Sequence, residues 1–319
     1  MTTSSKGRPL QIVSLHIVEV EIEHIYKGHA AAIYTLCEGL TPNLFYTGSM
    51  DMFVGCWNFD TGTFEKPLAR GSRSVYSLLL DKENQILYVG QRFGSVIIID
   101  LTKKNPPRNI KAHDGDIFDL SRDRLGRIYT AGGDGHIKIW TPIHFELIQD
   151  MHISTERLRC VHVSPFLDEF YVGSSDHTAR VFDTETLLQK QVLLGHENSV
   201  FTVEVLDENR IVTGSRDATF IVWELRDGNW VNVQRTPAHL FTINHLCLSP
   251  NKKILASAGR DKTVKLWDTQ NLKLLKVLDK EKIKGAHFHS VNKILWRNDQ
   301  QFISTGDDRQ IIAWKITEE

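Results

Sequence analysis

Gly214-Ser-Arg-Asp-Ala-Thr-Phe-Ile-Val-Trp223 decides the fold of this chain. A Gly-Ser-Arg-Asp turn opens a run of β-branched and aromatic residues that closes on tryptophan, which is strand composition bounded by turn chemistry. The same outline returns in both directions. Gly48 to Trp57 carries Asp51, and Gly132-Gly133-Asp134 leads to Trp140. Ala258-Gly259-Arg260-Asp261 leads to Trp267, and Gly306-Asp307-Asp308 leads to Trp314. In each of the five, tryptophan stands six positions after aspartate. A histidine preceded by Gly or Ala stands just over twenty positions before each aspartate: His29, His113, His196, His239 and His287.

A fourth position moves with these three. Four residues before the aspartate stand Thr47, Thr130, Thr213, Ser257 and Ser304. Two further segments keep the outline but lose parts of it. In one, Gly71, Val89, Phe93 and Ile99 occupy the histidine, hydroxyl, aspartate and tryptophan places. In the other, Asp176 remains, Val172 and Phe182 replace hydroxyl and tryptophan, and His152 lies two residues too far from the next strand to fill the histidine place. Hydroxyl and tryptophan therefore vanish together, twice. A buried indole N–H only donates and needs an acceptor. A hydroxyl can accept it and donate to imidazole, whose other nitrogen reaches the carboxylate. Removing one member strands a buried polar group, whereas replacing a bonded pair by apolar groups is nearly neutral. Hydroxyl, histidine and aspartate also compose a catalytic triad, but five copies at a structural period, each beneath a tryptophan, describe a scaffold.

A repeat of roughly 40–45 residues with Gly/Ala-His and Trp marks is the pattern of a β-propeller. The chain resembles the WD40-repeat family on these motifs along nearly its whole length. The expected fold is all-β: a seven-bladed WD40 propeller spanning residues 9–319 behind a disordered tail of residues 1–8. After Trp314 too few residues remain for an outer strand. The alternating segment near Val18 to Ile25 has no other partner, with Glu19, Glu21 and Glu23 on one face, so the N-terminal strand is expected to complete the last blade. An open ring would leave two bare sheet edges.

Composition narrows the function classes. The 319 residues carry 41% hydrophobic content and a formal net charge of −1, which gives no general pull toward nucleic acid or an anionic membrane. No apolar run is long enough to span a bilayer, and no secretory leader is visible. Cys37, Cys56, Cys160 and Cys247 show no metal or disulfide spacing, which points to a reducing, cytoplasmic setting. His287 with His289 makes a weak metal pair with no third ligand. Gly94 and Gly132-Gly133 sit between strands and read as tight turns, not phosphate loops.

The resemblance implies that the histidine loops and aspartate turns share one face, the top. It also implies that two positions per blade meet peptide ligands there: the second residue of each inner strand and the residue before each turn aspartate. Here these include Tyr34, Tyr76, Phe118, Phe201, Arg92, Arg159, Arg216 and Arg260. Aromatics interleaved with arginine suit a binding surface. Asp116, Glu197 and Asp307 on the same rim temper the positive field, so an acidic peptide is one candidate ligand among others. The expected function is a non-catalytic scaffold or adaptor, a monomeric propeller within a complex, without catalytic, cofactor or metal site. The alternatives are an enzyme in the central channel, marked by acids or histidines outside the repeat pattern, and a subunit of a nucleic-acid-associated complex. No such channel residues stand at the second inner-strand position.

Overall fold

The computed structural model describes residues 18–318. The expected tail of residues 1–8 and the domain start at residue 9 lie outside them. Seven four-stranded antiparallel sheets form a ring. Their inner strands are Ile33–Glu38, Val75–Asp81, Ile117–Arg122, Leu158–Val163, Val200–Asp207, Ile243–Leu248 and Val291–Trp296, and the blades are numbered one to seven in that order. Six blades are built from four consecutive strands. The seventh takes its outermost strand, Val18–Tyr26, from the start of the described chain, paired antiparallel with Ile311–Glu318.

Apolar burial closes the circle. Each seam between neighbouring blades holds its own cluster. The seam joining blade seven to blade one contains Tyr26, Ile33, Trp57, Ile303 and Ile311. The Val18–Tyr26 strand alternates as its sequence predicts. Val20 is buried, while Glu19, Glu21 and Glu23 face solvent. Glu19 meets Lys276 at 3.0 Å, and Glu23 accepts from Gln301.

Polar side chains lock the inner strands to one another. Asp119 Oδ2 accepts the Val161 N–H at 3.2 Å, Thr202 Oγ1 that of Leu246 at 3.2 Å, and His245 Nδ1 that of Ile294 at 3.3 Å. Asn244 and Asn292 donate to the carbonyls of Val291 and Ile33 on the next blade, at 2.7 and 3.0 Å. These bonds satisfy strand-edge groups that no fifth strand reaches. On the periphery, the nearly buried Glu169 accepts from Tyr171, Lys190 and the indole of Trp230, fixing blade five to blade four.

The outer strands are largely exposed, as in Thr63–Arg70 and Leu147–His152. Leu272 belongs to a turn, with φ of 53°, and its outer strand begins at Leu274. One packed face is enough for a strand that borders solvent on the other.

Candidate functional site

The five complete tetrads have one geometry. In blade five, Trp223 Nε1 donates to Thr213 Oγ1 at 2.9 Å, Thr213 Oγ1 lies 2.8 Å from His196 Nε2, and His196 Nδ1 lies 2.9 Å from Asp217 Oδ2. The indole can only donate, so the hydroxyl proton goes to Nε2 and the imidazole proton on Nδ1 goes to the carboxylate. The circuit is repeated by Trp57, Thr47, His29 and Asp51, by Trp140, Thr130, His113 and Asp134, by Trp267, Ser257, His239 and Asp261, and by Trp314, Ser304, His287 and Asp308.

Each aspartate also accepts the backbone N–H of the residue after the histidine, such as Glu197 on Asp217 at 2.9 Å, and that of the residue two beyond itself, such as Thr219 at 2.9 Å. The second bond braces a turn whose intervening residue is left-handed: Met52, Ala218, Lys262 and Arg309 have φ of 65° to 74°. Burial pushes the pKa of these carboxyls up, but the histidine and backbone hydrogen bonds outweigh it. Asp51 is held down at about 2, and Asp134, Asp217, Asp261 and Asp308 also lie below the usual carboxylate range. Burial lowers the pKa of His239. Every nitrogen and hydroxyl is committed to an internal partner, so the tetrads hold loops and leave no reactive atom free.

The two incomplete blades are more altered than their sequences indicated. In blade two, the Gln91 side chain occupies the space beside Gly71, where a Cβ would lie 2.1 Å from its amide nitrogen, and it donates to the Arg73 carbonyl at 3.0 Å. In blade four, Ser154 takes the histidine place, with its Oγ 2.7 Å from Asp176 Oδ2, while Arg180 bonds the same carboxylate. His152 instead packs its ring 5.0 Å from that of His136. When hydroxyl and tryptophan go, the histidine goes with them.

The mouth of the channel is made by one backbone irregularity used seven times. Each inner strand slips register at its second residue: Tyr34, Tyr76, Phe118, Arg159, Phe201, Asn244 and Asn292. A bulge re-aims the side chain it carries, and all seven are half-buried around one cavity of about 490 Å³. Tyr34 and Tyr76 are 5.2 Å apart between ring centroids, and Tyr76 stacks on Phe118 at 5.7 Å. The Arg159 guanidinium lies 4.6 Å from the Phe118 centroid and 5.1 Å from that of Phe201. Arg92, Arg216 and Arg260 are exposed on the aspartate turns above this collar, with Arg92 over Phe93 at 4.7 Å. Asn292 ties back Asp307 at 2.8 Å, Asp116 accepts the Phe93 N–H at 2.9 Å, and Glu197 pairs with Arg235.

Below the collar the sequence reading was incomplete. Because of the bulge, the third and fifth residues of the inner strands also face the channel. They bring Asp119, His162, Glu204, His245 and Lys293 together there. Lys293 of blade seven reaches across to Asp119 of blade three, 3.9 Å away. Burial raises the pKa of Asp119 and lifts Glu204 to about 7, and burial lowers His162 to about 4. Asp119 and His245 are already engaged by the inter-blade N–H bonds described above.

Fold and site define a seven-bladed propeller with hydrogen-bonded structural tetrads and an aromatic–arginine mouth. The family model for the WD domain, G-beta repeat, matches residues 20–58, 104–141, 188–224 and 230–268, so these four segments carry WD40 repeats. Each match runs from an outer strand through the three inner strands of the following blade, and the four segments fall on blades one, three, five and six. Among solved structures, the WD40 β-propeller domain of Doa1 superposes with a TM-score of 0.80 at 18% identity, covering 93% of this chain and 97% of that one. Curated relatives include protein tipD of Dictyostelium discoideum, 25% identical over 91% of this chain and 48% of its own length. The nuclear distribution protein nudF of Emericella nidulans is 27% identical over 93% and 62%. The chain thus spans about half to three-fifths of the length of these two relatives.

Proposed function

We propose that this propeller is a non-catalytic scaffold that binds a protein or peptide across its top face, as one subunit of a larger cytoplasmic assembly. One observation carries the reading. Eight arginines of the described chain form ion pairs with carboxylates, yet Arg73, Arg92, Arg157, Arg159, Arg216 and Arg260 around the top have no carboxylate within 4.0 Å among the described residues. A surface of aromatic rings and unpaired guanidinium groups is suited to supplying the buried anchors of an interface. The free, buried or half-buried cysteines suit a reducing compartment. The test is charge reversal on the rim: Arg216→Glu with Arg260→Glu abolishes recovery of the partner in an affinity purification and leaves the melting temperature nearly unchanged. Equal recovery refutes the top-face reading.

A second reading, an enzyme in the channel, is favoured by the convergence of Asp119, His162, Glu204, His245 and Lys293. It requires turnover that Lys293→Met removes and that the rim double variant leaves intact. Nucleic acid as the rim's ligand requires affinity that falls steeply with salt.

A further inference from the structure

We propose that Arg157, Arg159 and Arg216 form a seat for a single anionic side chain of the bound peptide, a reading that rests on top-face binding. Arg159 is the one charged residue among the seven that carry the inner-strand bulge. The flat guanidinium is sandwiched between Phe118 and Phe201 of the two flanking blades. Its Nε donates to Ser175 Oγ at 2.8 Å. The two rings and the serine together hold the guanidinium in place. Its two terminal nitrogens, Nη1 and Nη2, have no acceptor among the described residues and are free for an end-on, two-pronged bond to an oxyanion. Such a group loses little freedom on binding because it is already held.

The surroundings add to this geometry. Arg157 lies two residues earlier on the same approach, and Arg216 sits on the turn of the next blade; both are exposed. Burial first, and then repulsion from Arg157 and Arg216, pull the Arg159 pKa down to about 10, against the attraction of Asp116 and Tyr76. Asp116 already accepts the Phe93 N–H. None of the three has a carboxylate within 4.0 Å among the described residues, so an arriving anion meets guanidinium groups with no competing ion pair. The neighbouring Tyr34–Tyr76–Phe118 arc receives the apolar flank of the same peptide. Carboxylate and phosphate share the required chemistry.

The test is selection from defined libraries on the immobilised full chain: random dodecapeptides displayed on phage, and in parallel a synthetic array carrying phosphoserine. The expected result is that enriched peptides share an Asp, Glu or phosphoserine. The affinity of a representative peptide then falls roughly thirty-fold with Arg159→Gln, about 2 kcal/mol at the tenfold-per-1.4 conversion. It falls several-fold with Arg157→Gln, an exposed change that leaves folding intact. Preference for one library identifies the anion. Enriched peptides without an acid, or affinities unchanged by both variants, overturn the seat. If those peptides are still lost in the Arg216→Glu, Arg260→Glu protein, top-face binding survives that result. No enrichment from either source overturns both.

Discussion

Thr213→Val in blade five isolates the tetrad's hydroxyl. Thr213 is fully buried, and valine keeps its shape while removing one oxygen. Two groups lose their partner at once: the indole N–H of Trp223, 2.9 Å from that oxygen, and His196 Nε2, 2.8 Å away. A stranded buried polar group costs about 1–3 kcal/mol, so the single change, which strands two, should destabilise by about 2–6 kcal/mol. Trp223→Phe strands no indole donor but leaves space at the seam and should cost about 1–3 kcal/mol. In the double variant one of the two stranded groups no longer exists. Its loss should therefore fall short of the sum of the singles by about 1–2 kcal/mol, a coupling expected of residues in one hydrogen-bond network. Guanidinium unfolding of the four proteins, followed by circular dichroism and compared at equal m-value, measures this. Additivity within about 0.5 kcal/mol, or a Thr213→Val penalty below that figure, would refute the argument that hydroxyl and tryptophan form a unit. Blades two and four already carry the substituted state, as Val89 with Ile99 and Val172 with Phe182.

Two further outcomes follow from the ring. Removing the chain through Tyr26 strips the edge of Ile311–Glu318 and takes Val20 and Tyr26 out of their seams; the product should show no cooperative melt, or should associate through the bared edge in size-exclusion chromatography, and a melt equal to the full chain's would contradict this. Glu204→Gln should change the pH dependence of stability. Burial lifts the Glu204 carboxyl from 4.5 to about 7, so the folded state holds its proton more tightly than the unfolded one. Stability is then lost as pH rises from 4.5 through 7, by at most about 3 kcal/mol and by less where channel water screens the charge. Denaturant midpoints of the variant should exceed those of the native chain at pH 8 and converge with them near pH 4.5.

The ring was legible because its signal is polar. His, Asp, Trp and a hydroxyl at fixed offsets exist to satisfy one another, and that necessity is written at the same spacing five times. The closing strand was legible for a related reason: blade seven lacked a fourth strand, and Val18 to Ile25 alternated with nothing to pair with. The channel was not legible. Strict alternation would send one residue in two to each face, and the bulge at Tyr34 and its six equivalents breaks that rule without a marker residue. Asp119, His162, Glu204, His245 and Lys293 went unplaced for that reason. Ser154 and Gln91 were missed because each substitutes for histidine through shape and hydrogen bonding, which leave no motif. The mouth residues were found by position, but the sandwich of Arg159 depends on two rings from neighbouring blades that are far apart in sequence.

Closure by Val18–Tyr26 joins the earliest described strand to the last. During vectorial synthesis on the ribosome, the first strand must wait unpaired until almost three hundred further residues have emerged. The six intervening sheets can form locally as they appear, but the final seam is a contact of maximal sequence separation, slow by topology and exposed while it waits. The three glutamates of that strand then guard a nascent chain: they keep a solitary β-segment soluble and discourage it from adding to another molecule's unfinished edge.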